Sequence, residues 1–219
     1  MTSNEPATLI VVRHGETEWN IQNRFQGRCD SPLSQRGREQ SRAVGRRLKN
    51  YPFDTLIASD LGRAKETAAI IAGFTGHKVQ SDPRLRERNY GILEGLLLPE
   101  IEANHGAVLK RLKSNDPDFI IPEGESHRQH YDRNMDFIHE KITATPATTS
   151  ALVVHGGVLD NLFRFVSGIG LEQPRCFITL NASLTILKYG FFYGSVRWVI
   201  ETWGDVAHLD GIGHYTGLG

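Results

Sequence analysis

Hydrophobic and polar positions change period along the chain, and each change predicts an element. Leu9-Ile10-Val11-Val12 is a continuous apolar run, mostly β-branched, of the kind found in strands buried on both faces of a parallel sheet. Ser34 caps a predicted helix to about residue 50, with Ala43, Val44 and Leu48 turned inward. Its Arg36, Arg38, Arg42, Arg46, Arg47 and Lys49 are expected on a solvated face. Residues 54–59 read as a second strand, with Ser59 or Asp60 capping a helix to about Phe74, and 77–80 as a short third strand. Pro99 starts a helix to about Lys113, and a long helix runs from about Ser126 to Thr145 with Tyr131, Ile138 and Ile142 buried. Ala151-Leu152-Val153-Val154 is another buried strand, and the helix at 158–167 turns Leu159, Leu162, Phe163 and Val166 to the core. Residues 183–189 and 195–202 complete the sheet as an antiparallel or mixed edge.

Between these blocks lie polar, turn-rich stretches. Residues 20–32 are rich in Asn, Gln, Gly, Asp and Pro and read as a loop carrying Arg24, Phe25, Gln26, Gly27 and Arg28 toward the end of the first strand. From 96 to 126 the pattern changes, and 116–124 holds two prolines and a glycine. This segment is expected to be a site-capping insertion within a single domain spanning 1–219. The glycine-rich tail from 208 to 219 is expected to be loose.

A chain of 219 residues suits one domain with a sizeable insertion and a proper core. Lys and Arg total 25 against 25 Asp and Glu, so no net field recruits nucleic acid or an acidic membrane. Any anion site must be a local concentration of positive charge. Cys29 and Cys176 form no C-x-x-C pair and read as free thiols of a reducing compartment, one disulfide being the alternative. Residues 1–6 lack the apolar core of a signal peptide, and no window has the roughly 20 apolar residues needed to span a bilayer. The expectation is a cytoplasmic protein, monomer or homodimer.

Candidate chemistry gathers at the strand ends. Arg13 and His14 follow the first strand at once, and His155 follows the strand at 151–154, where open α/β sheets place their ligands. Arg63 falls in the first turn of its helix, beside N–H groups with no partner inside the helix, a good phosphate site. The alternative is a surface pair with Glu66 or Glu16. Glu87, between Arg86 and Arg88, reads either as part of an ion-pair cluster or as a proton donor. Two histidines and two arginines in a neutral protein suit a phosphoryl group. No G-x-x-x-x-G-K-[ST] loop and no Asp cluster for Mg²⁺ is present. His127 and His130 have H-x-x-H spacing but no nearby third ligand, so they read as exposed helix histidines and no metal or cofactor is expected. Metal-free phosphoryl transfer then needs a side-chain nucleophile, which neutral imidazole can be near neutral pH.

These motifs resemble the histidine phosphatase superfamily, in the branch of cofactor-dependent phosphoglycerate mutases and related phosphatases. The resemblance rests on Val12-Arg13-His14-Gly15-Glu16-Thr17, Asn20, Ser59-Asp60-Leu61-Gly62-Arg63-Ala64-Lys65-Glu66-Thr67, Glu87 and Val153-Val154-His155-Gly156-Gly157, in the family's order over roughly residues 8–210. It implies a three-layer α/β/α sandwich with a mostly parallel mixed sheet. It also implies that His14 becomes phosphohistidine, and that Arg13, Arg63 and His155 hold the phosphoryl oxygens with Asn20 assisting. Glu87 would be the general acid and then the base, although its arginine neighbours favour the carboxylate unless burial opposes them. Pro122-Glu123-Gly124-Glu125-Ser126 resembles the family's P-x-G-E-S element, with Glu123 in place of the usual small residue, and turns Glu125 to the site. Candidate substrate contacts are Gln26, Gly27, Glu125 and Leu97. Asn181-Ala182-Ser183 also resembles a family segment, without an assigned role.

The family's mutases carry a lysine shortly after the Glu-Gly pair and an arginine pair after a tryptophan in the insertion. Here Gly95 is followed by Leu96, Leu97, Leu98 and Pro99, and the nearby basic residues are Lys110, Arg111 and Lys113. The leucines form either an apolar rim or core. The missing cations favour a phosphatase of small phosphate monoesters, whose partner is a small phosphorylated metabolite. The alternatives are a 2,3-bisphosphoglycerate-dependent phosphoglycerate mutase and a non-catalytic phospho-ligand binding domain. The last predicts loss of His14 or Glu87, and both are present.

Overall fold

In the computed structural model, which describes residues 5–213, the first strand, β1 (Ala7–Arg13), is buried over its apolar length because each neighbour in sequence faces a different layer. Ile10 and Val12 pack with Ala43, Val44 and Ala64 on one side, while Leu9 and Val11 pack with Met135, Val158 and Leu162 on the other. The elements supplying those side chains are α2 (Gln35–Leu48) and α3 (Gly62–Thr75) on the first face, and α5 (His127–Ala144) and α6 (Gly156–Ser167) on the second. They make the α/β/α sandwich that the resemblance implied, and the chain also forms the short α1 (Glu18–Gln22) and α4 (Leu98–Leu112).

The other strands are β2 (Thr55–Ala58), β3 (Val79–Ser81), β4 (Thr149–Val154), β5 (Leu184–Phe192) and β6 (Ser195–Asp205). They lie in the order β3-β2-β4-β1-β5-β6. The first four are mutually parallel, β5 pairs antiparallel with β1, and β6 pairs antiparallel with β5. Register sets where the parallel strands stop. Arg13 pairs with Val154 and Ala58 with Val153, so β1, β4 and β2 end side by side at one edge.

Several expectations need correction. Residues 20–22 of the predicted loop belong to α1, because Thr17 and Asn20 close a reciprocal capping box. Neither Ser59 nor Asp60 caps α3. Its N-cap is Leu61, and the acceptor comes from Asp30, whose Oδ2 takes the Gly62 N–H at 2.5 Å. The basic residues of α2 do lie on its solvent side, where Arg36 pairs with buried Glu16, Arg38 with Glu66 and Arg47 with Asp205. The helix from Pro99 is broken by a non-helical His105 (φ −134°, ψ 29°). His127 and His130 are not exposed: His130 is fully buried and His127 bonds Asn161 at 3.0 Å. The tail is anchored at its start, where Leu209 enters the core and His208 Nε2 lies 2.9 Å from the Ala182 carbonyl. Residues 214–219 of that tail lie outside the described residues.

Leu93, Ile101, Leu109 and Ile121 gather in a third apolar cluster with Phe25, Tyr90 and Leu96, separate from the two sheet layers. Of the three leucines after Gly95, Leu96 joins this core, whereas Leu98 is 41% exposed. Cys29 and Cys176 are both free and exposed. Among the described residues, no helix is long and apolar enough to cross a membrane.

Candidate active site

Parallel strands in register deliver His14 and His155 to the same level, one residue beyond the Arg13–Val154 pair. Their ring centroids are 5.2 Å apart, tilted by 58°. His14 Nδ1 lies 2.8 Å from the Gly15 carbonyl, which can only accept, so Nδ1 carries the proton and Nε2 keeps its lone pair. The Arg63 Nε–H points at that lone pair from 3.3 Å. Burial, then the charges of Arg63 and Arg13, hold the imidazole well below its usual range, against a smaller upward pull from the Gly15 carbonyl. His14 is therefore a neutral, buried imidazole with its lone pair directed at Arg63.

Arg63 is itself 2% exposed and fixed from several directions. Nη2 donates to the Gly27 carbonyl at 2.7 Å, and Nη1 to the Cys29 carbonyl at 2.9 Å and to Asp30 Oδ1 at 3.2 Å. The expected alternatives, Glu16 and Glu66, are engaged by Arg36 and Arg38 instead. Gly27 has φ +54°, and a Cβ there would overlap Glu94 Oε1, so the turn demands glycine. Glu94 in turn binds the N–H groups of Arg28, Cys29 and Tyr90 at 2.9–3.0 Å. The loop 26–29 thus wraps Arg63. Gly27 contributes its carbonyl to that guanidinium, and the Gln26 Oε1 is buried without a partner among the described residues.

His155 caps α6 and has neither ring nitrogen hydrogen-bonded among the described residues. Burial leads the causes that push it well below the usual range, followed by Arg63, His14, His130 and Arg13. A fully buried imidazole with two unmet nitrogens is a site built for a polar ligand. Arg13 donates Nη1 to the Thr179 carbonyl and lies against Gly156. Asn20 turns its Oδ1 to the Thr17 N–H (3.1 Å) and accepts from buried Asn181 at 3.3 Å. Asn181 also donates to the His14 carbonyl at 3.0 Å, fixing the backbone at that residue.

Glu87 lies in the turn after β3, where Oε2 accepts the Gly157 N–H at 3.0 Å and Oε1 the Arg88 N–H at 2.8 Å. Its flanking arginines turn away. Arg86 pairs bidentately with Asp60 at 2.6–2.8 Å, and Arg88 donates to the Glu125 and Phe119 carbonyls. The ion-pair reading of the triplet therefore belongs to Arg86 and Asp60, not to Glu87. The Glu125 oxygens accept from Arg133, Arg28 and the Asn89 N–H at 2.7–3.2 Å, so this residue braces loops. Leu97 sits ahead of α4, its N–H capped by Glu100 at 2.7 Å and its backbone bridged to Arg24.

Sequence reasoning misses Asp30, Asn181, Arg133 and His130 as parts of this arrangement. Asp30 and Arg133 carry no local signal, since their partners lie far away in sequence. Asn181 has the signal of its family-like segment, but that segment names no partner for it. Among the described residues, no three His, Cys, Asp or Glu side chains group as metal ligands.

Comparison with known proteins gives the family. Residues 9–206 match the model of the histidine phosphatase superfamily (branch 1). The probable phosphoglycerate mutase GpmB of Cronobacter sakazakii is 37% identical over 203 residues, covering 92% of this chain and 94% of that protein. A mycobacterial glucosyl-3-phosphoglycerate phosphatase solved with VO3 superposes with a TM-score of 0.80 at 30% identity, covering 91% and 99% of the two chains. Phosphoglycerate mutase from Bacillus anthracis gives 0.78 at 28%, covering 96% and 98%. With the motif order, the strand register and these likenesses in agreement, the chain belongs to the histidine phosphatase superfamily.

Proposed function

We propose that the protein hydrolyses small phosphate monoesters through a phosphohistidine on His14. The observation that carries this reading is the neutral His14 imidazole, its Nδ1–H bound to the Gly15 carbonyl and its Nε2 facing Arg63 at 3.3 Å. Nε2 attacks phosphorus, and the bond to the leaving oxygen breaks as Glu87 gives that oxygen a proton. The ionised Glu87 then takes a proton from water, whose oxygen displaces His14, and phosphate leaves. Arg13, Arg63 and His155 stabilise the charge on the phosphoryl oxygens, and Asn20 completes the pocket. Gln26, Gly27 and the segment 96–126 close over the substrate's body.

Mutase activity is the second reading, favoured by the name of the Cronobacter relative. A mutase must hold a second phosphate and exclude water. The cations nearest in sequence to the missing mutase positions do not serve this: Arg111 pairs with Asp116 and Lys113 with Glu102 at the far end of α4. The test is a rate comparison on purified protein, with His14→Ala as control. Hydrolysis of p-nitrophenyl phosphate that vanishes in the variant is the expected result. Bisphosphoglycerate-dependent interconversion of 3- and 2-phosphoglycerate far above that hydrolysis would overturn the phosphatase reading. Turnover surviving in His14→Ala would overturn the phosphohistidine.

A further inference from the structure

One face of α5 grips the Glu87 turn at two points. His130 and Arg133 are three residues apart and so lie together on the helix surface. Arg133 holds the main chain: Nη2 donates to the Glu87 carbonyl and Nη1 to those of Arg84 and Arg86, all at 2.8 Å. His130 reaches the side chain. It is 1% exposed, and its ring donates to the Arg86 main chain. Its Nε2 has no hydrogen-bond partner among the described residues and lies 3.9 Å from Glu87 Oε1.

Gly157 explains how the two groups come so close. A Cβ there would lie 2.9 Å from His130 Cε1 and would overlap Glu87 Oε1. Glycine thus lets the imidazole and the carboxyl meet over the first turn of α6. Because the Arg86 carbonyl takes the ring N–H, the nitrogen facing Glu87 is the one that accepts. The two Glu87 oxygens consequently differ. Each accepts a main-chain N–H, Oε2 that of Gly157 at 3.0 Å and Oε1 that of Arg88 at 2.8 Å, but only Oε1 also faces an acceptor.

We propose that His130 is a positioning residue for Glu87, its Nε2 lone pair assigning the transferable proton to Oε1 and holding the carboxyl over Gly157. Closing the 3.9 Å gap by about 1 Å makes the Oε1–H···Nε2 hydrogen bond. The proton passes from Oε1 to the leaving oxygen as the ester bond breaks, and returns to Oε1 from water in the second step. Burial leads the causes that keep His130 neutral, helped by Arg133, His127 and Arg88 around it, so the lone pair is present at neutral pH. The inference rests on Glu87 acting as general acid and base.

Leaving-group dependence tests it, because p-nitrophenolate departs without a proton and an alkoxide does not. The side chains of Asn and Gln place their amides near Nδ1 and Nε2 respectively, so His130→Asn keeps the Arg86 bond and His130→Gln keeps the reach to Glu87. In His130→Asn, kcat/KM for glycerol 2-phosphate should fall about tenfold and that for p-nitrophenyl phosphate less than about threefold, with vanadate inhibition unchanged. His130→Gln should recover most of the loss. An equal loss on both substrates, no loss, or a His130→Gln as impaired as His130→Asn overturns the proposal. Should His130→Asn fail to fold, Gly157→Ala must show the same split between substrates, and an equal loss there overturns it. Turnover surviving His14→Ala removes the phosphohistidine reading. A uniform His130→Asn loss beside an inert His14→Ala removes the role of His130 alone.

Discussion

Asp30 holds Arg63 at both ends: its carboxylate takes the Arg63 backbone N–H at 3.3 Å and lies 3.2 Å from Nη1 of the same residue. With the 2.5 Å bond from the Gly62 N–H, one loop residue both caps α3 and orients its guanidinium. The ion pair itself counts for little, since Asp30 is 45% exposed on its side chain. The cap is worth more. Asp30→Ala should cost about 1 kcal/mol in urea unfolding, and Asp30→Asn, which keeps an acceptor, much less. A fall in kcat/KM should accompany the first change, because the guanidinium loses an anchor. Equal stability for both variants and wild type would show that the cap contributes nothing.

Arg63→Lys should be nearly as damaging as Arg63→Ala. The guanidinium simultaneously meets His14 Nε2, the Gly27 and Cys29 carbonyls and Asp30, a fork that one ammonium cannot reproduce. Turnover and vanadate affinity should fall together, each by about 10²-fold. Unchanged vanadate inhibition in Arg63→Lys would place Arg63 outside the phosphate pocket.

The strand ends are legible because their chemistry is written next to their folding signal. Leu9 to Val12 and Ala151 to Val154 announce buried strands, and His14 and His155 follow each directly. Parallel pairing does the rest, since register alone sets the two rings side by side. Arg63 is legible as a helix-start residue, but its cap is not. Asp30 lies in a loop, and nothing in residues 20–32 tells which helix it faces. His130 misleads for the opposite reason. Its H-x-x-H spacing suggests a metal or a surface, whereas its burial comes from α5 packing on the Glu87 turn, a contact between distant segments. Glu125 is legible as part of its motif, but its partners Arg28 and Arg133 are not, since they come from two other segments.

Two glycines separate stability from catalysis. A Cβ on Gly37 would overlap the backbone carbonyl of Glu16, which cannot move without shifting the loop that follows His14. Gly37→Ala should therefore lower stability by about 1–3 kcal/mol. On Gly157 the obstacle is the far end of Glu87 and the edge of His130, both side chains. Gly157→Ala should fold with nearly the wild-type Tm and lose about 10²-fold in kcat with an alkyl phosphate. Equal melting losses in the two variants would contradict the distinction.

Buried histidines make acid the vulnerable side of this fold. His14, His130 and His155 are each held well below the usual imidazole value, with burial the leading cause in all three. In the unfolded chain they titrate near about pH 6.5. Above that pH both states carry neutral rings, and the histidines leave stability unchanged. Below it the unfolded chain binds protons that the folded core refuses, so unfolding becomes easier as pH falls toward the depressed folded values. Each ring that stays neutral costs about 1.4 kcal/mol per pH unit across that window. His127 and His208 are shifted in the same direction and add to the effect. The salt-bridged Asp60, Asp82 and Asp205 are lowered too, but they act near and below the ordinary carboxylate range, outside this window. Urea unfolding at pH 7.5, 6.5 and 5.5 should show little change over the first step and a steep loss over the second. His14→Ala should flatten the second step by the share of one ring. A stability that stays level from pH 7.5 to 5.5 would mean that the three imidazoles take up protons inside the core, and a protonated His14 has no lone pair to offer phosphorus.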